Sequence, residues 1–152
     1  MTVSTGQPAP GFDLISQERE EVGLESLKGH KSLIVFIPFP FTGICDSEAC
    51  MLRDELSALG DLDAKVVVIT AHAIPSNKRW ADENGLNFPV LSDYWPHGVV
   101  SRAYGTFNEK LGVANRFTFV LDAEGTVRDV INTDSLGTAR EFELYTQALA
   151  AI

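Results

Sequence analysis

The chain has 152 residues, 45% of them apolar, with a formal net charge of -9, a size that suits one compact domain over residues 1–152 with a substantial core. So acidic a balance disfavours nucleic acid or an anionic membrane surface as partner, because both are bound through clustered cations. No apolar run reaches the roughly 18 residues needed to cross a bilayer, and Met1–Pro10 lacks the basic start and apolar stretch of an export signal, so the expected compartment is the cytoplasm.

In chain order, the acidic run Glu18, Glu20 and Glu21 reads as a solvated turn. Ser32–Pro38 (SLIVFIP) is continuously apolar and rich in β-branched residues, which predicts a strand buried on both faces. Cys45–Leu59 places Ala49, Leu52, Leu56 and Leu59 on one stripe and ends at Gly60, the pattern of an amphipathic helix with a glycine stop. Lys65–Ala71 (KVVVITA) repeats the buried-strand pattern. Pro75–Asn84 is a helix opened by proline and closed by Gly85. Arg116–Asp122 (RFTFVLD) and Thr126–Thr133 (TVRDVINT) flank a turn at Ala123-Glu124-Gly125 and form a hairpin. Ala139–Ala151 is the last helix, and Trp80, Trp95, Phe107 and Phe117 are core or interface aromatics. Strands alternating with helices and ending in a hairpin predict an α/β class, a mixed central sheet with flanking helices in a thioredoxin-like arrangement.

The sharpest local feature is Pro38-Phe39-Pro40-Phe41-Thr42-Gly43-Ile44-Cys45, in which a strand end and a loop deliver a cysteine to the start of a helix. A helix start offers unpaired backbone N–H groups and the positive end of the macrodipole, which favour thiolate over thiol. The same groups, those of Ile44 and Cys45, are placed to hold negative charge developing on an oxygen leaving the sulfur. Only two cysteines occur, Cys45 and Cys50, too few for a disulfide-stapled scaffold. Neither a C-x-x-C nor an H-x-x-x-H spacing joins them or His30, His72 and His97 into a metal site, and none is expected.

The spacing Pro38-x-x-x-Thr42-x-x-Cys45 matches the active-site motif of peroxiredoxins, and it sits at the strand–loop–helix junction where that family carries it. The resemblance runs from the opening Pro8-Ala9-Pro10-Gly11-Phe12 to the C-terminal helix. It implies a cofactor-free thiol peroxidase in which Cys45 attacks a hydroperoxide and becomes sulfenic acid. It further implies that the Thr42 hydroxyl contacts thiolate and peroxide, that Pro38 shields the pocket from water, and that Arg116 faces the nucleophile as a fixed cation. Glu48 stands where the family carries a glutamate and is expected to orient Arg116 through a bidentate contact.

Phe41-Thr42-Gly43-Ile44-Cys45, Leu52-Arg53-Asp54, Trp95-Pro96-His97-Gly98 and Gly112-Val113-Ala114-Asn115-Arg116 resemble the alkyl hydroperoxide reductase E type, whose members are generally one-cysteine dimers. The resemblance therefore implies a homodimer recycled by a thioredoxin- or mycoredoxin-like protein or by a low-molecular-weight thiol. Cys50 departs from that type and has the spacing of the bacterioferritin-comigratory type. Two roles stay open for it, a resolving thiol or a packed helix residue. In an intact helix two residues five apart have Cα atoms roughly 8 to 9 Å from each other, beyond the reach of about 7 Å for a disulfide. Two other functions are weighed: a disulfide reductase, which would carry C-x-x-C, and a redox sensor, in which Cys45 oxidation alters partner binding without turnover.

Overall fold

The structure, a computed structural model, describes residues 1–152. In chain order its elements are β1 (Asp13–Ser16), β2 (Glu21–Gly23), a 3-10 turn (Leu24–Ser26), β3 (Lys31–Phe36), α1 (Gly43–Asp54), α2 (Leu56–Asp61), β4 (Ala64–Thr70) and α3 (Ile74–Asn84). There follow β5 (Val90–Ser92), α4 (Val99–Ala103), β6 (Phe107–Asn108), β7 (Val113–Ala114), β8 (Phe117–Leu121), β9 (Val127–Asn132) and α5 (Phe142–Ala150).

Seven strands form one mixed sheet in the order β2-β1-β5-β4-β3-β8-β9. Its centre is parallel, β3 with β4 and β4 with β5, as connections through helices require. Hairpins close both margins, β1 with β2 on one side and β8 with β9 on the other, and β8 pairs antiparallel with β3. The mixed α/β arrangement expected from the sequence is the one found.

Side-chain alternation along the central strands divides the core in two. Leu33, Val35 and Ile37 join Val66 and Val68 on the face covered by α1, α2, α3 and α5, where Leu52, Trp80 and Leu149 are packed. Ile34 and Phe36 join Val67 and Ile69 on the opposite face, against Tyr104, Phe119 and Leu91. From Leu33 to Phe36 β3 thus needs an apolar residue at every position, which is why its sequence is so legible. Both central runs are about as expected, although β3 stops at Phe36 and Ile37 adds one further bond to the Ile69 carbonyl.

Two departures concern the elements nearest the site. The helix expected over Cys45–Leu59 starts two residues earlier, at Gly43, and is interrupted at Glu55, whose φ of -100° and ψ of 13° are not helical. Leu59 still reaches the core from the second segment. Further along, α3 behaves as expected, with Pro75 in its first turn and Gly85 closing it at a φ of 61°, the left-handed region that glycine adopts without penalty. The hairpin β1–β2 and strand β5 were not expected. They are three or four residues long, too short to show a period, and of the acidic run Glu18 and Glu20 lie in the turn between β1 and β2 while Glu21 opens β2. Of the aromatics expected to be buried or at interfaces, Trp80 is fully buried and Trp95 is 79% exposed.

Cys45, Ala49 and Leu52, spaced four and three apart, are the buried face by which α1 seats on the sheet. Leu52→Ala is expected to lower the free energy of unfolding by about 2–5 kcal/mol through loss of transfer energy and the cavity left behind. A denaturant melt showing less than about 0.5 kcal/mol of change would contradict this role of Leu52 in holding α1.

Candidate active site

From the end of β3 the chain enters the loop 37–42, in which Pro38 and Pro40 are buried. Phe41 follows with a φ of 70°, a left-handed conformation that costs a bulky residue roughly 1–2 kcal/mol. Thr42 is extended and is the N-cap of α1; its carbonyl accepts the Asp46 N–H at 2.9 Å, the first bond of the helix. Its hydroxyl, however, donates to the Phe39 carbonyl at 2.6 Å and so braces the loop.

Cys45 sits in the first turn of α1 with an exposure of 0%. Its sulfur accepts the Phe39 N–H at 3.3 Å. A threonine bridging to Phe39 O and a sulfur accepting from Phe39 N tie loop and helix start together through one residue. The expected contact between Thr42 and the sulfur is not among the hydrogen bonds made; the Thr42 proton goes to the backbone instead.

Glu48, three residues on and 7% exposed, is the centre of a buried ionic cluster. It accepts Arg116 Nη1 at 2.5 Å and, from Arg140, the backbone N–H at 2.8 Å, Nε at 2.9 Å and Nη2 at 2.9 Å. The forked contact expected between Glu48 and Arg116 is therefore made with Arg140, while Arg116 gives one N–H to Glu48 and another, Nε, to the Leu136 carbonyl at 2.7 Å. Arg140 Nη1 continues to Thr118 Oγ1 at 3.3 Å, and Thr118 donates to Tyr145 Oη at 2.9 Å. No buried side-chain polar atom lacks a partner, the condition under which such a network holds one geometry.

Burial alone would push the Glu48 carboxyl up, but the hydrogen bonds and charge of Arg140, with the charge of Arg116, hold it below its ordinary value. For Arg140, burial opposes the charge, and the neighbouring Tyr145, Glu48 and Cys45 more than offset it. Two guanidiniums against one carboxylate leave a net positive charge buried close to Cys45.

Arg140 was not singled out in the sequence. One physical signal was present: it stands just before α5, whose N-cap is Glu141, and a cation at a helix N-terminus is electrostatically unfavourable unless an anion claims it. Glu48 is that anion.

Cys50 lies on the same unbroken helix as Cys45, and both are free thiols. Its sulfur is 3.6 Å from Asn84 Oδ1 at the end of α3. An open groove of about 620 Å³ between α1 and α5 reaches Glu48 and Arg140 from outside, past Ser47, Met51 and Phe142, but Cys45 does not line it. The three histidines do not converge: His30 pairs with Asp63 at 3.0 Å, and His97 with the Gly112 carbonyl at 2.7 Å.

Residues 5–130 match the AhpC/TSA family. The chain is 44% identical to the alkyl hydroperoxide reductase E of Mycobacterium tuberculosis over 99% of its own length and 98% of that protein's. It is 32% identical to a putative peroxiredoxin bcp of Haemophilus influenzae, covering 86% of each. Among solved structures, the peroxidoxin BcpB of Mycobacterium tuberculosis superposes with a TM-score of 0.88 at 27% identity, covering 99% of this chain and 98% of the other.

Glu48→Gln keeps the shape of the cluster but leaves two buried guanidiniums without an anion, and is expected to cost about 3–5 kcal/mol of stability. A carboxyl held below its ordinary value of 4.5 stabilises the fold fully above that value and stops doing so as pH falls through its lower, folded-state value. Melting temperature should accordingly drop as the protein is acidified below pH 4.5, and the drop should be shallower in Glu48→Gln. Equal slopes in the two proteins would show that Glu48 is not held as described.

Proposed function

We propose that Cys45 is the attacking sulfur of this chain, which belongs to the AhpC/TSA family and is a thiol-dependent peroxidase. Its substrates are a hydroperoxide and a thiol reductant. The observation that carries the assignment to Cys45 is the buried cluster in which Glu48, on the helix that bears Cys45, gathers Arg116 and Arg140.

The step is a displacement at oxygen. The Cys45 sulfur bonds to the terminal oxygen of the hydroperoxide, the O–O bond breaks, and the thiol's proton ends on the departing oxygen. Thiol and hydroperoxide become sulfenic acid and an alcohol, or water when the substrate is hydrogen peroxide. The first-turn N–H groups of Ile44 and Cys45, which a helix leaves without internal acceptors, face the negative charge that builds on the leaving oxygen. The net cation of the cluster acts on the same charge, and Glu48 fixes where it sits. Pro38, buried beside the sulfur's loop, keeps water out, and Thr42 positions Phe39, whose N–H already meets the sulfur.

A thiol then attacks the sulfenic sulfur, water leaves, and exchange with a second thiol restores Cys45. We assign the first attack to an external donor, a thioredoxin- or mycoredoxin-like protein or a low-molecular-weight thiol. Support comes from the continuity of α1 over Gly43–Asp54, which keeps the two cysteine Cα atoms roughly 8 to 9 Å apart, too far for a disulfide without unwinding. A single domain working as a cytoplasmic homodimer completes the reading. Supporting the dimer are Tyr94, Trp95, Val99 and Leu111, exposed by 53, 79, 45 and 54%. They sit on loops and at the start of α4, around the His97 ring, which meets Tyr94 and Phe107 edge-on. No helix is long and apolar enough to cross a membrane.

Stopped-flow oxidation tests the assignment to Cys45. The wild type should react with hydroperoxide at least about 100-fold faster than free cysteine, and Arg140→Ala or Arg116→Ala should lose about 100-fold; a wild-type rate equal to that of free cysteine ends the proposal. One equivalent of peroxide should add about 16 mass units, the sulfenic oxygen, whereas a loss of about two units would instead mean a Cys45–Cys50 bond.

For the dimer, Trp95→Glu should sediment as a monomer at micromolar concentrations at which the wild type does not. A wild type that is itself monomeric there overturns that part.

A further inference from the structure

The ionic cluster ends, on the side away from Cys45, in two hydroxyls whose presence packing does not explain. Thr118 stands in the middle of the sheet, paired with Val35 on one side and Ile131 on the other, and has no exposed surface. Tyr145 is 3% exposed and belongs to the same apolar core as Val35 and Ile131, with its ring edge-on to Phe142. Valine and phenylalanine would fill the two places with nearly the same shape and bury no polar atom. Replacing both partners of a buried hydrogen bond in that way is close to neutral or stabilising, so the hydroxyls call for a role other than stability.

That role is visible at Arg140. Glu48 takes the Arg140 backbone N–H, Nε and Nη2, and a guanidinium forked on one carboxylate keeps a hinge about that carboxylate. The Nη1 bond to Thr118 Oγ1 at 3.3 Å is the one side-chain hydrogen bond that Arg140 makes outside Glu48, and it ties the guanidinium to a second element. Thr118 in turn donates to Tyr145 Oη at 2.9 Å, which leaves its oxygen lone pairs to face Arg140.

Charge separates this arrangement from a second carboxylate. Burial pushes the Tyr145 hydroxyl above its ordinary value, and the Arg140 charge and the Thr118 bond offset this only in part, so Tyr145 stays a neutral phenol. A carboxylate in place of Thr118 would grip Arg140 and cancel the positive charge that Glu48 leaves over. Two neutral hydroxyls steer the guanidinium and keep its charge in force.

We propose that Thr118 and Tyr145 are positioning residues for the peroxidase reaction: a relay of two neutral hydroxyls, from α5 through β8, aims the Arg140 cation at the oxygen leaving Cys45. The proposal rests on Cys45 being the attacking sulfur. Neither residue bonds to that sulfur, and both act through Arg140.

The experiment is stopped-flow oxidation of Cys45 in the reduced full chain by two oxidants, hydrogen peroxide and peracetic acid, the second of which releases a carboxylate that needs far less help from a cation. Thr118→Val and Tyr145→Phe should each slow the reaction with hydrogen peroxide about ten-fold and that with peracetic acid by less than about three-fold. The double variant should also lose about ten-fold, because one relay is cut twice. Thr118→Ser, which returns the hydroxyl, should recover the rate to within about two-fold of the wild type. In an Arg140→Ala background, Thr118→Val should have no further effect. A purely structural role would slow both oxidants equally, in step with a loss of folded protein that thermal melts report. Tyr145→Phe carries the same comparison should Thr118→Val fail to fold. An unchanged rate with hydrogen peroxide, equal slowing of the two oxidants, or an undiminished effect of Thr118→Val without Arg140 overturns the relay while wild-type oxidation of Cys45 stays fast. Slow wild-type oxidation would instead remove the peroxidase reading of Cys45 itself.

Discussion

Everything at this site depends on where one carboxylate is held. Glu48 is buried and accepts four N–H groups from two arginines that arrive from distant parts of the chain, 68 and 92 residues away. Burying three charged groups is expensive, and well-packed apolar residues of similar volume stabilise a fold as well or better. Stability alone therefore gives no reason for the cluster. The attachment of Glu48 to the helix of Cys45 offers one, because on the proposed reading the charge left after pairing is positive and lies where an attacking sulfur and a departing oxygen would both carry negative charge.

The fold supplies this arrangement by bringing three chain segments to one end of a sheet. α1 carries Cys45 and Glu48 on its inner side, Arg116 enters just before β8, and Arg140 enters just before α5. β8 lies beside β3 in the sheet, so the residue preceding β8 and the loop following β3 come to the same edge. Thr118 on β8 and Tyr145 on α5 then brace Arg140 from behind. On the reading of Cys45 as the attacking sulfur, rigidity here has a chemical purpose, since a guanidinium that must reorient during a reaction returns much of the energy it contributes.

The central strands were legible because they are buried on both sides, and an unbroken apolar run such as Leu33–Ile37, rich in β-branched residues and too short for a helix, fits a strand and little else. The candidate nucleophile was legible for a different reason: a Pro, a Thr and a Cys at fixed spacing, delivered to a helix start, form a local pattern. What the sequence hid was long-range or low in contrast. Arg140 looks like any polar residue ahead of a helix until its partner 92 positions away is known. The start of α1 at Gly43 was missed because Gly43 and Ile44 add nothing to the apolar stripe, although Thr42 is a residue type that caps helices. Nor does any spacing rule reveal that the Thr42 hydroxyl turns to a backbone carbonyl.

Burial and charge act together at this turn. Cys45 has no exposed surface in the structure, and charges act on one another with less screening where solvent is excluded, so two guanidiniums bear more strongly on a buried sulfur than on an exposed one. The same exclusion of solvent raises the cost of an unpaired charge, which is why both arginines must converge on Glu48 for the cluster to be held at all.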